Sequence, residues 1–294
     1  MQLSGYSIMS NNKYSKNIST NDPTLVLFLI DQSGSMGGPW GDTGIQKAGL
    51  AANALNQTLY DLALRACMKD GEITDRIHVG IISYGNPGVK SLLGTAEGWS
   101  PATEWCTSYS DIRKVPVSHD GSRVIENEVP IWVEPRANNG TPMGEALSMA
   151  AGIVSRHSST HSSSHPPIVI NITDGEASGI AQPAADIRSC STEDGDALLF
   201  TIQISSDGGH PMLFPASPPS SAGAATQELF RISSEVPGVM ASRARHMGIQ
   251  VPEGARGIAL NADPLTLTQL LQVGTTLVNT PDSSMPEDPE GIHA

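Results

Sequence analysis

The sequence predicts an α/β fold, a doubly wound (Rossmann-like), mostly parallel sheet flanked by helices. Residues 24–30 are a continuous apolar run, as expected for a strand buried on both faces, and similar runs occupy 77–84 and 166–173. Segments with helical periodicity alternate with these runs, which is typical of strands joined by crossover helices. Because such helices cover both faces, the strands are expected to be parallel.

The helices are predicted from the spacing of apolar residues and from end signals. Apolar residues recur every three or four positions from Ala48 to Ala66, which gives one buried stripe. Thr141-Pro142 is expected to begin a second helix, since Thr is a favourable N-cap and Pro suits the first helical turn. Further along we expect a strand at 197–205, a helix at 227–235, a short strand at 257–260 and a closing helix at 264–279.

The chain is interpreted as one domain over residues 23–280. The ends, 1–22 and 281–294, are polar with little to bury, so both are expected to be disordered. Residues 86–136 interrupt the alternation and are interpreted as an insertion of short strands and loops packed on the sheet edge. Residues 206–224, rich in Pro, Gly and Ser, are expected to form a surface loop.

Composition restricts the function. Thirty acidic and 17 basic residues give a formal net charge of -13, which disfavours nucleic acid and anionic membranes as partners. The apolar runs are too short to span a membrane, and the N-terminal residues lack the apolar segment of a secretory signal. Three widely spaced cysteines indicate free thiols. We therefore expect a cytoplasmic protein.

Oxygen donors follow two of the predicted strands and precede one helix. Asp31 ends the first strand and Ser33 and Ser35 come directly after it, whereas Asp174 follows the third strand and Thr141 starts a helix. In an open parallel sheet these positions meet at the carboxyl ends of the strands. Two carboxylates and three hydroxyls suit a hard divalent cation, Mg²⁺ first, with Mn²⁺ or Ca²⁺ as alternatives.

These residues resemble a known family. Asp-x-Ser-x-Ser at residues 31–35, a distant Thr141 and Thr-Asp-Gly at 173–175 are similar to the metal-ion-dependent adhesion site of von Willebrand factor A (vWA) domains. The resemblance covers about residues 24–280. It implies that the serines and the threonine bind Mg²⁺ directly, that the aspartates bind directly or through water, and that a partner's carboxylate fills an open metal position.

The resemblance implies a non-enzymatic, Mg²⁺-dependent interaction module or adaptor. The segment Gly140-Thr141-Pro142-Met143-Gly144 resembles the stand-alone bacterial cytoplasmic group, whose partners include AAA+ ATPases and kinase/phosphatase pairs. Neutral hydroxyl ligands leave the ion partly unneutralised, so that it still attracts an incoming Glu or Asp. The sequence names neither the partner nor the pathway, and it leaves the oligomeric state open.

Two alternatives stay open. A metal-dependent hydrolase or phosphotransferase would use the same Mg²⁺ site with Glu176 as general base, although phosphate-loop, dinucleotide and nucleophile-elbow motifs are absent from the sequence. An adhesin-like surface protein would need a route of secretion that the N-terminal residues do not indicate.

Two weaker features concern histidines and a tryptophan. His157, His161 and His165 are four residues apart and could hold zinc on a helix, but the intervening Ser and Thr favour a solvated linker. His78 is interpreted as a packing residue of its strand. Trp40 either contacts a partner beside the metal or covers the top of the sheet.

Overall fold

A computed structural model describes residues 13–40, 44–120, 123–175, 178–204 and 210–275. The strands are β1 (Thr24–Asp31), β2 (Met68–Lys69), β3 (Glu72–Ile73), β4 (Ile77–Gly85), β5 (Gly88–Leu93), β6 (Asp111–Asp120), β7 (Arg123–Ile131), β8 (Ile168–Thr173), β9 (Ser191–Thr192), β10 (Gly195–Asp196), β11 (Leu198–Gln203), β12 (Met212–Leu213) and β13 (Ile258–Leu260). The helices are α1 (Lys47–Leu62), α2 (Ala102–Trp105), α3 (Met143–Thr160), α4 (Ala181–Ser189), α5 (Ala224–Ile232), α6 (Gly238–His246) and α7 (Pro264–Gly274).

Seven strands form the central sheet, in the order β12-β13-β11-β8-β1-β4-β5. The five inner strands are parallel, and the edge strands β12 and β5 run antiparallel to their neighbours. All eight residues of β1 are buried, as are all nine of β4. The predicted doubly wound α/β fold is confirmed.

The sheet is packed on both faces because side chains of β1 alternate between two cores. Val26, Phe28 and Ile30 belong to the core that also holds residues of α1, α6 and α7. Leu25, Leu27 and Leu29 belong to the other core, with residues of α3, α4 and α5. This two-sided burial explains why β1 is apolar throughout rather than alternating.

The order of the strands creates a switch point at β1. The chain passes from β1 through α1 to β4 on one side, and then through α3 to β8 on the other side of β1. Loops that leave the carboxyl ends of β1 and β8 therefore diverge, and they leave a crevice above the sheet. Asp31 is the last residue of β1 and Asp174 directly follows β8.

The prediction of disorder over 1–22 is wrong for residues 13–22. Ile18 is buried in the first core, and Arg76 donates through Nη2 to its carbonyl over 2.7 Å. The Tyr14 amide donates to the Asp194 carbonyl over 2.7 Å. These contacts are long-range, so local composition did not reveal them. Residues 1–12 and the predicted tail 281–294 lie outside the described residues.

The insertion at 86–136 contains β5, the edge strand of the central sheet, and the long hairpin β6–β7, which lies beside α1. Val129 and Ile131 of β7 are buried against Tyr60. Helices α4 and α6 and strand β12 were not predicted, and β12 falls within the segment interpreted as a surface loop. Of the helices described, none combines the length and apolar character needed to cross a bilayer.

The interpretation of residues 157–165 as a solvated linker is also wrong. Helix α3 continues to Thr160, and both His157 and His165 are buried. The hydroxyls of Ser159 and Thr160 donate to the carbonyls of Ser155 and Arg156 one turn earlier in the helix.

Candidate metal centre at the carboxyl edge of the sheet

Four of the five predicted ligands are linked by hydrogen bonds above the crevice. Asp31 Oδ1 accepts from the Ser33 amide over 2.8 Å, and the hydroxyls of Ser33 and Ser35 are 3.0 Å apart. Ser35 Oγ donates to Asp174 Oδ1 over 2.8 Å. The fold therefore brings both carboxylates and both serines to one point, although 139 residues separate Ser35 from Asp174.

The fifth residue, Thr141, lies in the loop that leads into α3. This loop contacts the Asp31–Ser35 turn, since the Asn138 amide donates to the Gln32 carbonyl over 2.7 Å. A Cβ added at Gly34 would lie 2.8 Å from Asn139 Oδ1, so the two segments also meet there. No hydrogen bond joins Thr141 to the other four ligands within the described part of the chain.

The predicted cap at Thr141 differs from the observed one. Helix α3 begins at Met143, with Pro142 at the N-cap position, and no side chain caps it there. The Met143 amide instead donates to the Thr141 carbonyl over 2.8 Å. The Thr141 hydroxyl is therefore not used for capping, which leaves it available as a ligand.

The Asp31 carboxylate is buried and firmly held. It is 1 % exposed, and Asp31 Oδ2 accepts from Thr173 Oγ1 over 2.8 Å. Thr173 Oγ1 in turn accepts from the Gly175 amide over 3.1 Å. Burial raises the pKa of Asp31, against the opposing effect of the bonds from Ser33 and Thr173, and nearby Asp174 raises it further. A bound cation would offset both causes of that rise.

A lysine that sequence reasoning missed lies at the same point. Lys47 Nζ donates to Asp174 Oδ2 over 2.7 Å, and both side chains are 6 % exposed. Lys47 is the first residue of α1. Its place at the start of the helix that follows the Gly-rich turn could have indicated that Lys47 lies near Asp31. A lysine at the start of a helix is, however, ordinarily solvated.

Thr173 was quoted only as part of the Thr-Asp-Gly motif, and its role in holding Asp31 was also missed. Its hydroxyl joins the end of β8 to the end of β1. Gly175 has φ +119, and a Cβ there would lie 2.5 Å from Gln203 Nε2, so this position needs glycine.

The donors fit the group that the family resemblance implies. Every predicted ligand atom is a carboxylate or hydroxyl oxygen, the class that Mg²⁺ prefers, and no described sulfur or imidazole takes part in the hydrogen-bonded set. The Lys47 ammonium opposes a cation here, because it already neutralises Asp174.

A small cleft of about 30 Å³ lies beside the turn and is lined in part by Gln32, Lys90 and Arg136. Lys90 and Arg136 are both exposed. These basic side chains give the rim a local positive charge on a chain whose formal net charge is -13. Trp40 is half-buried and packs against the first core, and its contact with a partner stays a prediction.

Comparisons with known proteins give fold-level likeness to solved structures. No family model and no curated protein matches the sequence. The SpRpn10 VWA domain is 9 % identical at TM-score 0.43, over 85 % of this chain and 94 % of that one. The pilus adhesin SpaC from Lactobacillus rhamnosus GG is 12 % identical at TM-score 0.43, over 91 % of this chain but only 31 % of its own.

Manganese-loaded TRAP protein from Plasmodium vivax is 16 % identical at TM-score 0.31, over 64 % of this chain and 59 % of that one. Likeness at this level supports no assignment of function. The function of this chain therefore has to be argued from the geometry of its own site.

Proposed function

We propose that this chain is a non-enzymatic protein–protein interaction module of the vWA type, which binds an acidic residue of its partner through a divalent metal. Asp31, Ser33, Ser35, Thr141 and Asp174 would hold the ion, Mg²⁺ first and Mn²⁺ or Ca²⁺ as substitutes. The observation that carries the proposal is the convergence of both carboxylates and both serines at the switch point of the sheet.

The residues of the site support docking rather than a buried structural ion. Asp31 and Ser33 are 1 % exposed, whereas Ser35 is exposed. An ion bound by all three would therefore be covered by protein on one side and would face solvent on the Ser35 side. When bound, the ion supplies a positive centre that attracts a carboxylate. Lys90 and Arg136 on the nearby rim add attraction for the same acidic surface.

The hydrolase alternative gains no support from the described residues. Its candidate base, Glu176, lies outside them. The described side chains around Asp31 and Asp174 are a lysine and hydroxyl groups, and the lysine already pairs with Asp174. A cytoplasmic location and an AAA+ ATPase or kinase/phosphatase partner stay expectations from the family resemblance.

A capture experiment tests the proposal. The immobilised chain is exposed to native lysate in Mg²⁺, in EDTA, and as the Asp31→Ala variant, with Asp186→Asn as control because Asp186 is an exposed carboxylate on α4. We expect a protein retained only by wild type and Asp186→Asn in Mg²⁺, and lost when one of its own surface Glu or Asp residues is replaced by the amide. Partners retained equally in EDTA and by Asp31→Ala would overturn the proposal.

A further inference from the structure

Three histidines meet at the opposite edge of the sheet from the oxygen site. His78 is the second residue of β4, His157 lies in the last turn of α3, and His161 directly follows that helix. One ring nitrogen from each lies within 4.8 Å of the others. The ring centroids of His157 and His161 are 4.5 Å apart, and those of His78 lie 5.3 and 5.2 Å from them.

We propose that His78, His157 and His161 form a second metal site, which takes Zn²⁺. His78 Nδ1 and His157 Nε2 are 3.1 Å apart. Two imidazole nitrogens that share one tetrahedral Zn²⁺, at about 2.0–2.1 Å each, stand about 3.3 Å apart. The observed pair is thus already close to the spacing that one ion requires.

A single proton joins His78 to His157 when no metal is bound. A neutral imidazole has one N–H and one lone pair, so the contact of His78 Nδ1 with His157 Nε2 uses a single proton. His157 Nδ1 is buried and has no hydrogen-bond partner among the described residues. A bound cation would satisfy the lone pairs of both facing nitrogens, with the N–H of each ring on its other nitrogen, so that His157 Nδ1 would be a buried donor.

The protein holds these rings in the form that binds metals. Burial, helped by His161 and His78, lowers the pKa of His157 to about 2, and burial with His161 lowers that of His78 to about 4. Burial also lowers the pKa of His161, against the opposing effect of Asp22. A neutral ring has one nitrogen without a proton, so binding at His78 Nδ1 and His157 Nε2 requires only that each ring carry its N–H on the other nitrogen.

The three histidines differ in how far the surrounding residues cover them. Trp99 stacks on His78, with ring centroids 6.3 Å apart at 14°, and contacts the His157 ring edge-on at 5.1 Å. Trp99 therefore covers His78 and His157, whereas His161 is half-buried. Three protein ligands are one fewer than a closed structural zinc site uses, so we infer that water would complete the coordination on the His161 side.

The two sites would select different ions. Imidazole nitrogen suits Zn²⁺, Cu²⁺ and Ni²⁺, whereas carboxylate and hydroxyl oxygen suit Mg²⁺. Along β4, His78 and the Asp31 partner Tyr84 are six residues apart, about 20 Å for a strand. Helix α3 begins next to the oxygen site and ends at the histidines.

The four-residue spacing of His157, His161 and His165 includes two of the three histidines of this cluster but not the third. His157 continues the stripe of Ala146, Ala150 and Ile153, which is why it is buried. The third ligand is His78 from a distant strand rather than His165, whose ring bonds the Pro166 carbonyl over 2.9 Å.

Zinc binding to the tag-free full chain tests the proposal. The chain is stripped with EDTA and titrated with Zn²⁺ against a chromophoric chelator in excess Mg²⁺, which occupies the oxygen site, and with Co²⁺ for its visible spectrum. We expect one equivalent of Zn²⁺ and the intense bands of four-coordinate Co²⁺. His161→Gln and His78→Gln should each weaken Zn²⁺ binding by roughly tenfold or more.

Two variants serve as controls. His246→Gln removes an exposed histidine of α6, and Asp31→Ala disables the oxygen site; both should bind Zn²⁺ as wild type does. Circular dichroism in EDTA checks the folding of each variant, and His161→Gln, at a half-buried position, is the one expected to fold normally. Equal Zn²⁺ affinity of wild type and folded His161→Gln would overturn the proposal, as would loss of binding in Asp31→Ala alone.

Discussion

The Lys47 ammonium lies 2.7 Å from Asp174 Oδ2, inside the proposed metal centre, and both side chains are 6 % exposed. An internal cation thus already neutralises one of the two carboxylates that the site would offer to Mg²⁺. Its removal should have opposite effects on metal binding and on the stability of the metal-free chain.

Lys47→Met should increase Mg²⁺ affinity by about tenfold or more, because a competing positive charge is lost. The same change should lower the free energy of unfolding in EDTA by about 3 kcal/mol, since Asp174 becomes a buried charge without its partner. Denaturant titration with and without Mg²⁺ measures both effects, and saturating Mg²⁺ should restore much of the lost stability.

Lys114→Met is the matched control, because Lys114 is exposed on β6. Lys114→Met should change neither the Mg²⁺ affinity nor the free energy of unfolding in EDTA. Weaker Mg²⁺ binding by Lys47→Met than by wild type would show that the ammonium supports the site instead of competing with the ion.

Thr173→Val should lower both stability and Mg²⁺ affinity. The substitution removes the hydroxyl that donates to Asp31 Oδ2 and accepts from the Gly175 amide. An expected loss of about 1–3 kcal/mol in the free energy of unfolding follows from leaving these buried groups unpaired. Thr173→Ser keeps the hydroxyl and should behave nearly as wild type, so equal losses in both variants would contradict this role.

Gly34→Ala should weaken Mg²⁺ binding slightly by shifting the Asn139 side chain in the loop that carries Thr141. The added methyl would meet Asn139 Oδ1 at 2.8 Å, and because this is the end of an exposed side chain, the cost is about 0.5–1.5 kcal/mol for a strained rotamer. Adding Asn139→Gly should relieve the clash and recover affinity, with Asn139→Gly alone as the reference. Calorimetric titration of the three variants measures their Mg²⁺ affinities. An affinity of Gly34→Ala equal to that of wild type would contradict a role of this loop in Mg²⁺ binding.

Acid should destabilise the chain partly through His165. Burial lowers the pKa of His165 to about 4, with Arg243 acting in the same direction and Asp194 and the Pro166 carbonyl against it. The unfolded chain, with a histidine pKa of about 6.5, therefore takes up a proton before the folded chain does. The stability due to the neutral ring is present above pH 6.5 and is lost as pH falls toward 4, by up to about 3 kcal/mol.

His165→Asn keeps a donor for the Pro166 carbonyl but does not titrate. Its free energy of unfolding in EDTA should fall less steeply between pH 6.5 and 4 than that of wild type. The other buried histidines are common to both proteins, so the difference isolates His165, and parallel curves would refute its contribution.

The sheet could be predicted because its signals are local. The apolar runs of β1, β4 and β8 and the polar residues that end them identify the fold and place Asp31 and Asp174 at one edge. Helix α3 was expected to stop early because Ser and Thr near residue 160 are poor helix formers. Burial of His157 against the sheet overrides that preference.

The missing parts of both sites depend on contacts between distant segments. Lys47 meets Asp174 across 127 residues, and His78 meets His157 across 79. Neither pairing has a signature in a single sequence, because each depends on where α1 and α3 lie on the sheet. The ordered segment at 13–22 was missed for the same reason, since its partners, Arg76 and Asp194, lie on other elements.

The most direct test of the central claim is a titration of the EDTA-treated chain with Mn²⁺, followed by electron paramagnetic resonance with a single equivalent of Zn²⁺ present, which occupies the histidines without excess Zn²⁺ to compete for the oxygen site. We predict one bound Mn²⁺ per chain, displaced by Mg²⁺, lost in Asp31→Asn, weakened in Thr141→Val and retained in Asp186→Asn. Mn²⁺ binding that is equal in wild type and Asp31→Asn would contradict the metal centre at the carboxyl edge of the sheet.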